Sequence, residues 1–473
     1  MKVTCCFRFY QKYACVPDSK AQRSLSAGAE RYLPKSRYLI WTFRLISWTL
    51  VWRVFFKKRM TTSLLQSLQD PHLVATFQRY CGLFLQVEEQ LPGSCNNSHG
   101  NGTGSQRPVE KESVVRASEC TNERYKINGS HQHLGQGRKD DHGVNGCALK
   151  EKPGYVVKNF FFYYLFRFAA ALGQEIFYIT FLPFTYWNFD PFVTRRLVGV
   201  WAIVMYLGQA SKDIIKWSRP LSPPVVKLET RVDAEYGMPS THAMAATAIS
   251  FTFLITTMYR YKYSFALGLM ASTVLSTLVS LSRLYTGMHT VLDVICGVFI
   301  TAVLMALTYP FWNILDDLQL TSPLTPIIAV VMPFFMSYTY PALDHYSPTR
   351  GDTTIILGVA SGCTVGFWMN YQYGLTYEPT GSLPFELPSI TLEVVWLAIA
   401  RFLIGIFILV VTRQVVKTLS LKVLCAWFDV PGHDMEARKR LEIEVPYKFA
   451  TYSSIGFNAT VVVPLLYQLL GLL

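Results

Sequence analysis

Three short clusters of basic, hydroxyl and histidine side chains lie between Lys212 and Asp293, and their residue types are those that phosphate-ester cleavage needs. The first is Lys212-x6-Arg219-Pro220, the second Pro239-Ser240-Thr241-His242, the third Ser282-Arg283-x5-His289-x3-Asp293. Cleaving a phosphate monoester takes a nucleophile, an acid for the leaving alkoxide, and fixed positive charge around the equatorial oxygens. His289 and Asp293 stand four residues apart at an expected helix start and so share one face. A carboxylate there can accept the proton of one ring nitrogen and aim the other at a substrate. The same pair, taken alone, also suits helix capping. His242 falls in the first turn of an expected helix, behind Pro239 and Ser240. Free backbone N–H groups make that turn an anion site, and a histidine in it can protonate a leaving oxygen. Taken alone, it is equally an interfacial histidine. Lys212 and Arg219 alone read as snorkelling or positive-inside charge, whereas Arg283 is of the type that grips phosphate oxygens bidentately. The combination carries the reading. Carboxylates for a metal pair are lacking, since Asp293 is committed to His289 and Asp213, Asp233 and Glu235 are scattered. Guanidinium and ammonium groups therefore take the part that metals play elsewhere, and no metal or other cofactor is expected.

The elements that must position these clusters are apolar segments. Residues 197–211 run into the first cluster, 243–258 run out of the second, and 264–281 and 290–308 flank the third. If each crosses a membrane, the chain goes away and back between clusters, and all three lie on one membrane face. About 20 apolar residues span about 30 Å of hydrocarbon. Candidates are 159–184, 197–211, 240–259, 264–282, 290–310, 325–341, 354–370, 393–412 and 453–472. The expected fold is therefore all-α: a polytopic integral membrane protein of about nine transmembrane helices. Only 16% of the 473 residues are charged, which agrees with a membrane chain, soluble domains having roughly 25%. The formal charge of +13 fits basic loops between spans, and no nucleic-acid-binding motif accompanies it. The ten cysteines are scattered, which argues against a disulfide framework or a structural zinc.

Four regions follow. Residues 1–59 form an arginine-rich extension whose apolar stretch Tyr38–Phe56, interrupted by Arg44 and Arg53, suits an interfacial helix better than a span. Residues 60–157 begin with short helices over 64–84 and continue into a polar segment, 91–147, whose composition predicts disorder. Residues 158–310 hold the three clusters, and 311–473 add further membrane helices. Within the last region, 413–447 reads as a polar stretch forming a separate amphipathic helix at the surface.

K-x6-RP, PS-x-H and SR-x5-H-x3-D resemble the three-part signature of the type-2 phosphatidic acid phosphatase superfamily. Thr241 departs from it, standing where many members have glycine. PSTHAM, SPPVVKLE, AEYGM and LSRLYTGMHTVLDV are similar to the sphingosine-1-phosphate phosphatases, and within them to the isoform 2 branch, from about residue 60 to the C-terminus. Met60 resembles that family's usual start. The resemblance implies metal-independent hydrolysis of sphingosine 1-phosphate and its dihydro form on the lumenal face of the endoplasmic reticulum membrane. It implies that His289 attacks phosphorus, Asp293 orients it and His242 protonates the alkoxide. Lys212, Arg219, Ser240, Thr241 and Arg283 would hold the phosphate. A broad lipid phosphate phosphatase is the alternative enzyme. A transporter, suggested by Arg167, Glu175 and Arg401 within apolar stretches, is the alternative class. The partners expected are a lipid substrate and the membrane, with no nucleic acid and no oligomeric state specified.

Overall fold

The computed structural model describes residues 63–86 and 154–473, apart from 230–234, 342, 344, 377–378, 380, 388, 390, 432–433 and 473. The extension 1–59, the segment 91–147 and the expectations attached to them lie outside the described residues. The described chain is mostly helical: α1 Ser63–Gln69, α2 Pro71–Tyr80, α3 Phe160–Leu172, α4 Glu175–Asn188, α5 Pro191–Ile215, α6 Thr241–Thr257, α7 Phe265–Tyr285 and α8 Val291–Thr308. There follow α9 Trp312–Thr321, α10 Thr325–Tyr338, α11 Thr349–Gln372, α12 Leu392–Trp427, α13 Leu441–Phe457 and α14 Val463–Leu469. Two short strands, β1 Leu83–Leu85 and β2 Tyr155–Val157, pair antiparallel with Phe84 opposite Val156.

Five described helical stretches are long and apolar enough to cross a membrane: Phe265–Tyr285, Val291–Thr321, Thr349–Gln372, Leu392–Trp427 and Leu441–Leu469. A sixth would be α3 with α4, the candidate span over 159–184, whose two helices meet at 64° near Gly173. The remaining expected spans coincide with α5, α6 and α10, of which α6 has 17 residues and α10 has 14. A departure is in α12. Residues 413–427 continue it without a break, giving 36 residues in one helix instead of a separate surface helix. No glycine or proline interrupts Thr412 to Trp427, and Leu, Val and Lys there are compatible with continued helix.

The site-bearing helices are set by local signals. Asp190 caps α5 by accepting the Phe192 N–H at 2.9 Å, and Pro191 fills the first helical position. Twenty-five residues of α5 span about 37 Å, and Lys216 ends it in the left-handed conformation at φ 54°. Nearly every side chain of α6 is buried, because α5, α7 and α8 all pack against it. Its alanines, serines and threonines permit that close approach. Thr247 Oγ1 meets Ser276 Oγ of α7 at 2.7 Å, and Ser272 Oγ donates to the Ser250 carbonyl at 3.1 Å, so these buried hydroxyls are satisfied between helices. Gly297 of α8 faces the start of α6, where an added Cβ would lie 2.8 Å from the Ser240 carbonyl oxygen.

Candidate active site

Each cluster sits at a helix end, and direct contacts join the three. Lys212, in the last turn of α5, points its Nζ to within 3.5 Å of Thr241 Oγ1 at the start of α6. The Ser240 N–H, at the N-cap of α6, donates to the Asp293 carbonyl in the first turn of α8 at 3.0 Å. Arg219, in the connector after α5, donates from Nη1 to the Met288 carbonyl at 3.1 Å, next to His289. Arg283 comes from the last turn of α7 and is 1% exposed. The turn from Arg283 to His289 closes through Gly287, whose φ of +73° is in the region that favours glycine.

His289 and Asp293 bracket the start of α8. Asp293 Oδ2 accepts the Thr290 N–H at 2.8 Å, and Thr290 Oγ1 accepts the Asp293 N–H at 3.3 Å, a reciprocal capping box. The same Oδ2 lies 3.7 Å from His289 Nδ1. That is an ion-pair distance rather than a hydrogen bond, so the carboxylate serves the cap and the histidine together. His289 Nδ1 and Ser240 Oγ are both buried and make no hydrogen bond. His242 packs against the α3–α4 elbow, where a Cβ on Gly173 would touch its ring at 3.0 Å. It lies within electrostatic reach of Arg283, His289, Lys212 and Arg219.

Burial, then the cations Arg219, Lys212 and Arg283, hold the His289 imidazole well below the ordinary histidine range. The ring is therefore neutral and carries the lone pair that a nucleophile needs. Burial likewise lowers Arg219 from the usual arginine value, opposed first by Glu235.

Two carboxylates that the sequence reading left aside complete the centre. Glu235 Oε2 bridges Lys212 Nζ at 3.3 Å and Arg219 Nη2 at 3.2 Å, so it is not scattered but central. Glu229 takes the Arg283 fork, with Nη2 to Oε1 at 3.3 Å and Nη1 to Oε2 at 3.5 Å. A buried cation without a counter-charge is destabilising by several kcal/mol, and these glutamates supply the counter-charge. The available signal was the group of acids Glu229, Asp233 and Glu235 among the basic residues of the connector. Gln78 of α2 was also missed. Its amide donates to the Val226 and Tyr285 carbonyls, both at 2.8 Å, and accepts the Val226 N–H at 2.9 Å. This ties the connector to the end of α7. A cleft of about 630 Å³ opens beside Arg219 and Thr290, with Gln66 and Asp70 on its other wall.

A PAP2 superfamily model matches residues 193–317, which run from α5 to α9 and include all three clusters. The human protein named sphingosine-1-phosphate phosphatase 2 is 52% identical over 86% of this chain and 99% of its own length. Its mouse counterpart is 59% identical over 69% of this chain and 94% of its own. Rat sphingosine-1-phosphate phosphatase 1 is 37% identical over 86% of this chain and 97% of its own. No solved structure matches the chain. With identity of this degree along nearly the whole length of those relatives, the chain belongs to the sphingosine-1-phosphate phosphatase family.

Proposed function

We propose that this chain is an integral-membrane lipid phosphatase that hydrolyses sphingosine 1-phosphate and dihydrosphingosine 1-phosphate to the sphingoid base and phosphate. One observation carries the reading. Lys212 and Arg219 already share a single carboxylate oxygen, Glu235 Oε2, as they would share a phosphate oxygen. His289, kept neutral, stands within the field of the same cations. The names of the relatives supply the substrate class.

In the proposed reaction the His289 lone pair attacks phosphorus, and the bond to the ester oxygen breaks. His242 gives that oxygen a proton as the sphingoid alkoxide leaves. Asp293 stabilises the charge that develops on His289. Water then attacks the phosphohistidine, loses its proton to His242, and releases phosphate with both histidines restored. Lys212, Arg219, Arg283, the Ser240 hydroxyl and the α6 N-terminus at Thr241 hold the equatorial oxygens. The chain's own groups, three of them cations, cover the charge, so no metal enters the steps.

The finer architecture we propose is nine spans, with α5, α6 and α10 crossing in addition to the five long stretches and the bent α3–α4 pair. The protein would lie in the endoplasmic reticulum membrane with the clusters facing the lumen. Arg195 and Arg260 support this orientation. They sit at the opposite end of α5 and after α6, and the positive-inside rule places such loops in the cytoplasm. Lys212 lies 17 residues beyond Arg195, about 25 Å along the helix. Their ion pairs with Asp316 and Asp190 do not offset the argument, because the rule counts Lys and Arg rather than net charge.

The test is phosphate release by the purified full-length protein from sphingosine 1-phosphate, phosphatidate, ceramide 1-phosphate and glucose 6-phosphate. The sphingoid phosphate should be cleaved with the highest kcat/KM, and His289→Ala should abolish turnover. Equal cleavage of phosphatidate would instead favour a broad lipid phosphatase. Full activity in His289→Ala would sink the assigned nucleophile.

A further inference from the structure

Three cations and three carboxylates face one another in the free site: Lys212, Arg219 and Arg283 against Glu229, Glu235 and Asp293. The unliganded centre is thus close to neutral. A phosphate dianion must use the same donors that Glu229 and Glu235 now occupy, so its arrival releases both glutamates from their partners. The phosphate seat is marked independently by Ser240 Oγ, which is buried and makes no hydrogen bond. The released carboxylates have little water to turn to, their side chains being 15% and 21% exposed for Glu235 and Glu229. With a bare dianion bound, the site would hold two surplus negative charges and two displaced carboxylates beside a phosphate.

A sphingoid 1-phosphate brings its own remedy. Its ammonium is on the carbon next to the phosphate-bearing carbon, three bonds from the ester oxygen. We propose that Glu229 and Glu235, displaced by the phosphate, bind the substrate ammonium and so select amine-bearing lipid phosphates over amine-free ones. The inference rests on the phosphatase reading above and adds the residues that set its selectivity. Lysophosphatidate and phosphatidate have no cation to offer the glutamates, and the amide of ceramide 1-phosphate is uncharged. Each of these leaves the carboxylates uncompensated, and a buried polar group left unpaired is what gives such a site its discrimination. Glu229 and Glu235 are specificity residues here; the chemistry stays with the histidines.

The experiment compares full-length wild type, Glu229→Gln, Glu235→Gln and the double variant by kcat/KM on three substrates. These are sphingosine 1-phosphate, its N-acetyl derivative and lysophosphatidate. The amine-bearing substrate should lose about tenfold in Glu235→Gln while the other two gain, because the competing carboxylate is gone. Glu235→Asp should restore part of the preference. A parallel fall for all three substrates would show that the glutamates only hold the connector, and would overturn the proposal. A wild type that fails to cleave sphingosine 1-phosphate would overturn the phosphatase reading itself, and the selectivity proposal with it. A second measurement needs no variant. The phosphonate of sphingosine should inhibit the wild type about tenfold better than its N-acetyl counterpart, and equal inhibition would overturn the proposal even if the glutamine variants do not fold.

Discussion

Replacing Asp293 by asparagine keeps the shape of the side chain and an oxygen that can still accept the Thr290 N–H, while removing the charge 3.7 Å from His289 Nδ1. A unit charge at 3.7 Å acts on an imidazolium with about 4.5 kcal/mol at an effective dielectric of about 20. Losing that stabilisation as His289 becomes cationic should slow phosphoenzyme formation about 2,000-fold. Thr290→Ala is the complementary change. It deletes one half of the capping box, which destabilises by about 1 kcal/mol, but leaves the charge pair and the backbone N–H that holds it. Its kcat should stay within about tenfold of the parent. The assay is rapid-quench trapping of phosphoenzyme from radiolabelled sphingosine 1-phosphate, with thermal unfolding of each variant measured alongside. If Asp293→Asn keeps more than about a tenth of the parent rate, or Thr290→Ala falls as far as Asp293→Asn at equal stability, Asp293 is a cap alone.

Burial and the cations around His289 depress its proton affinity, so the free enzyme keeps a neutral ring to below the ordinary histidine value. Arg219→Gln removes one of those cations and must raise that affinity toward about 6.5. The acid limb of kcat/KM should then move to higher pH, and a move to lower pH would contradict the assigned field. If Lys212, Arg219 and Arg283 meet the phosphate charge as proposed, turnover should persist in excess EDTA and be inhibited by vanadate. Loss on chelation with rescue by magnesium would refute metal independence. For orientation, Leu221→Cys places a thiol on an exposed part of the connector. In sealed microsomes it should resist a membrane-impermeant thiol reagent until detergent is added, and labelling beforehand would put the clusters in the cytoplasm.

What could be read in the residues was what local rules govern. The helix starts behind Pro239-Ser240 and at His289–Asp293 followed from local pattern, and the chemistry expected of the clusters from residue type and spacing. That the three clusters meet followed from counting apolar segments between them. What escaped depends on contacts distant in sequence. Nothing near Gln78 indicates that its amide will hold Val226 and Tyr285, 148 and 207 residues away. Glu235 lies 23 residues from Lys212, and only the fold of the connector shows that one oxygen serves both Lys212 and Arg219. Whether 157–188 crosses once or folds back stayed open in the sequence, because an apolar stretch of that length, interrupted by Arg167 and Glu175, is consistent with either. The division at residue 412 was misplaced because polarity changes there while helix propensity does not.

The helices beyond residue 310 bear on the site through Asp213. It follows Lys212 directly, and successive side chains on a helix point about 100° apart, so the two acidic and basic groups leave α5 in different directions. Lys212 turns to Thr241 and Glu235. Asp213 is 1% exposed and accepts the Tyr340 hydroxyl at 2.8 Å and the Thr349 hydroxyl at 2.5 Å. Thr349 begins α11, which packs against α5, and Tyr340 follows α10. The end of α5 is therefore held on both sides, by Glu235 of the connector and Thr241 on one and by the C-terminal helices on the other. Rotating it to relax one set of bonds would strain the other. A cation that must meet a phosphate at hydrogen-bond distance gains from such two-sided fixing, since misplacement by about 1 Å can lower a rate about a hundredfold. On the proposed mechanism, the additional helices would act on catalysis by setting the direction of Lys212, without contributing a side chain to the phosphate.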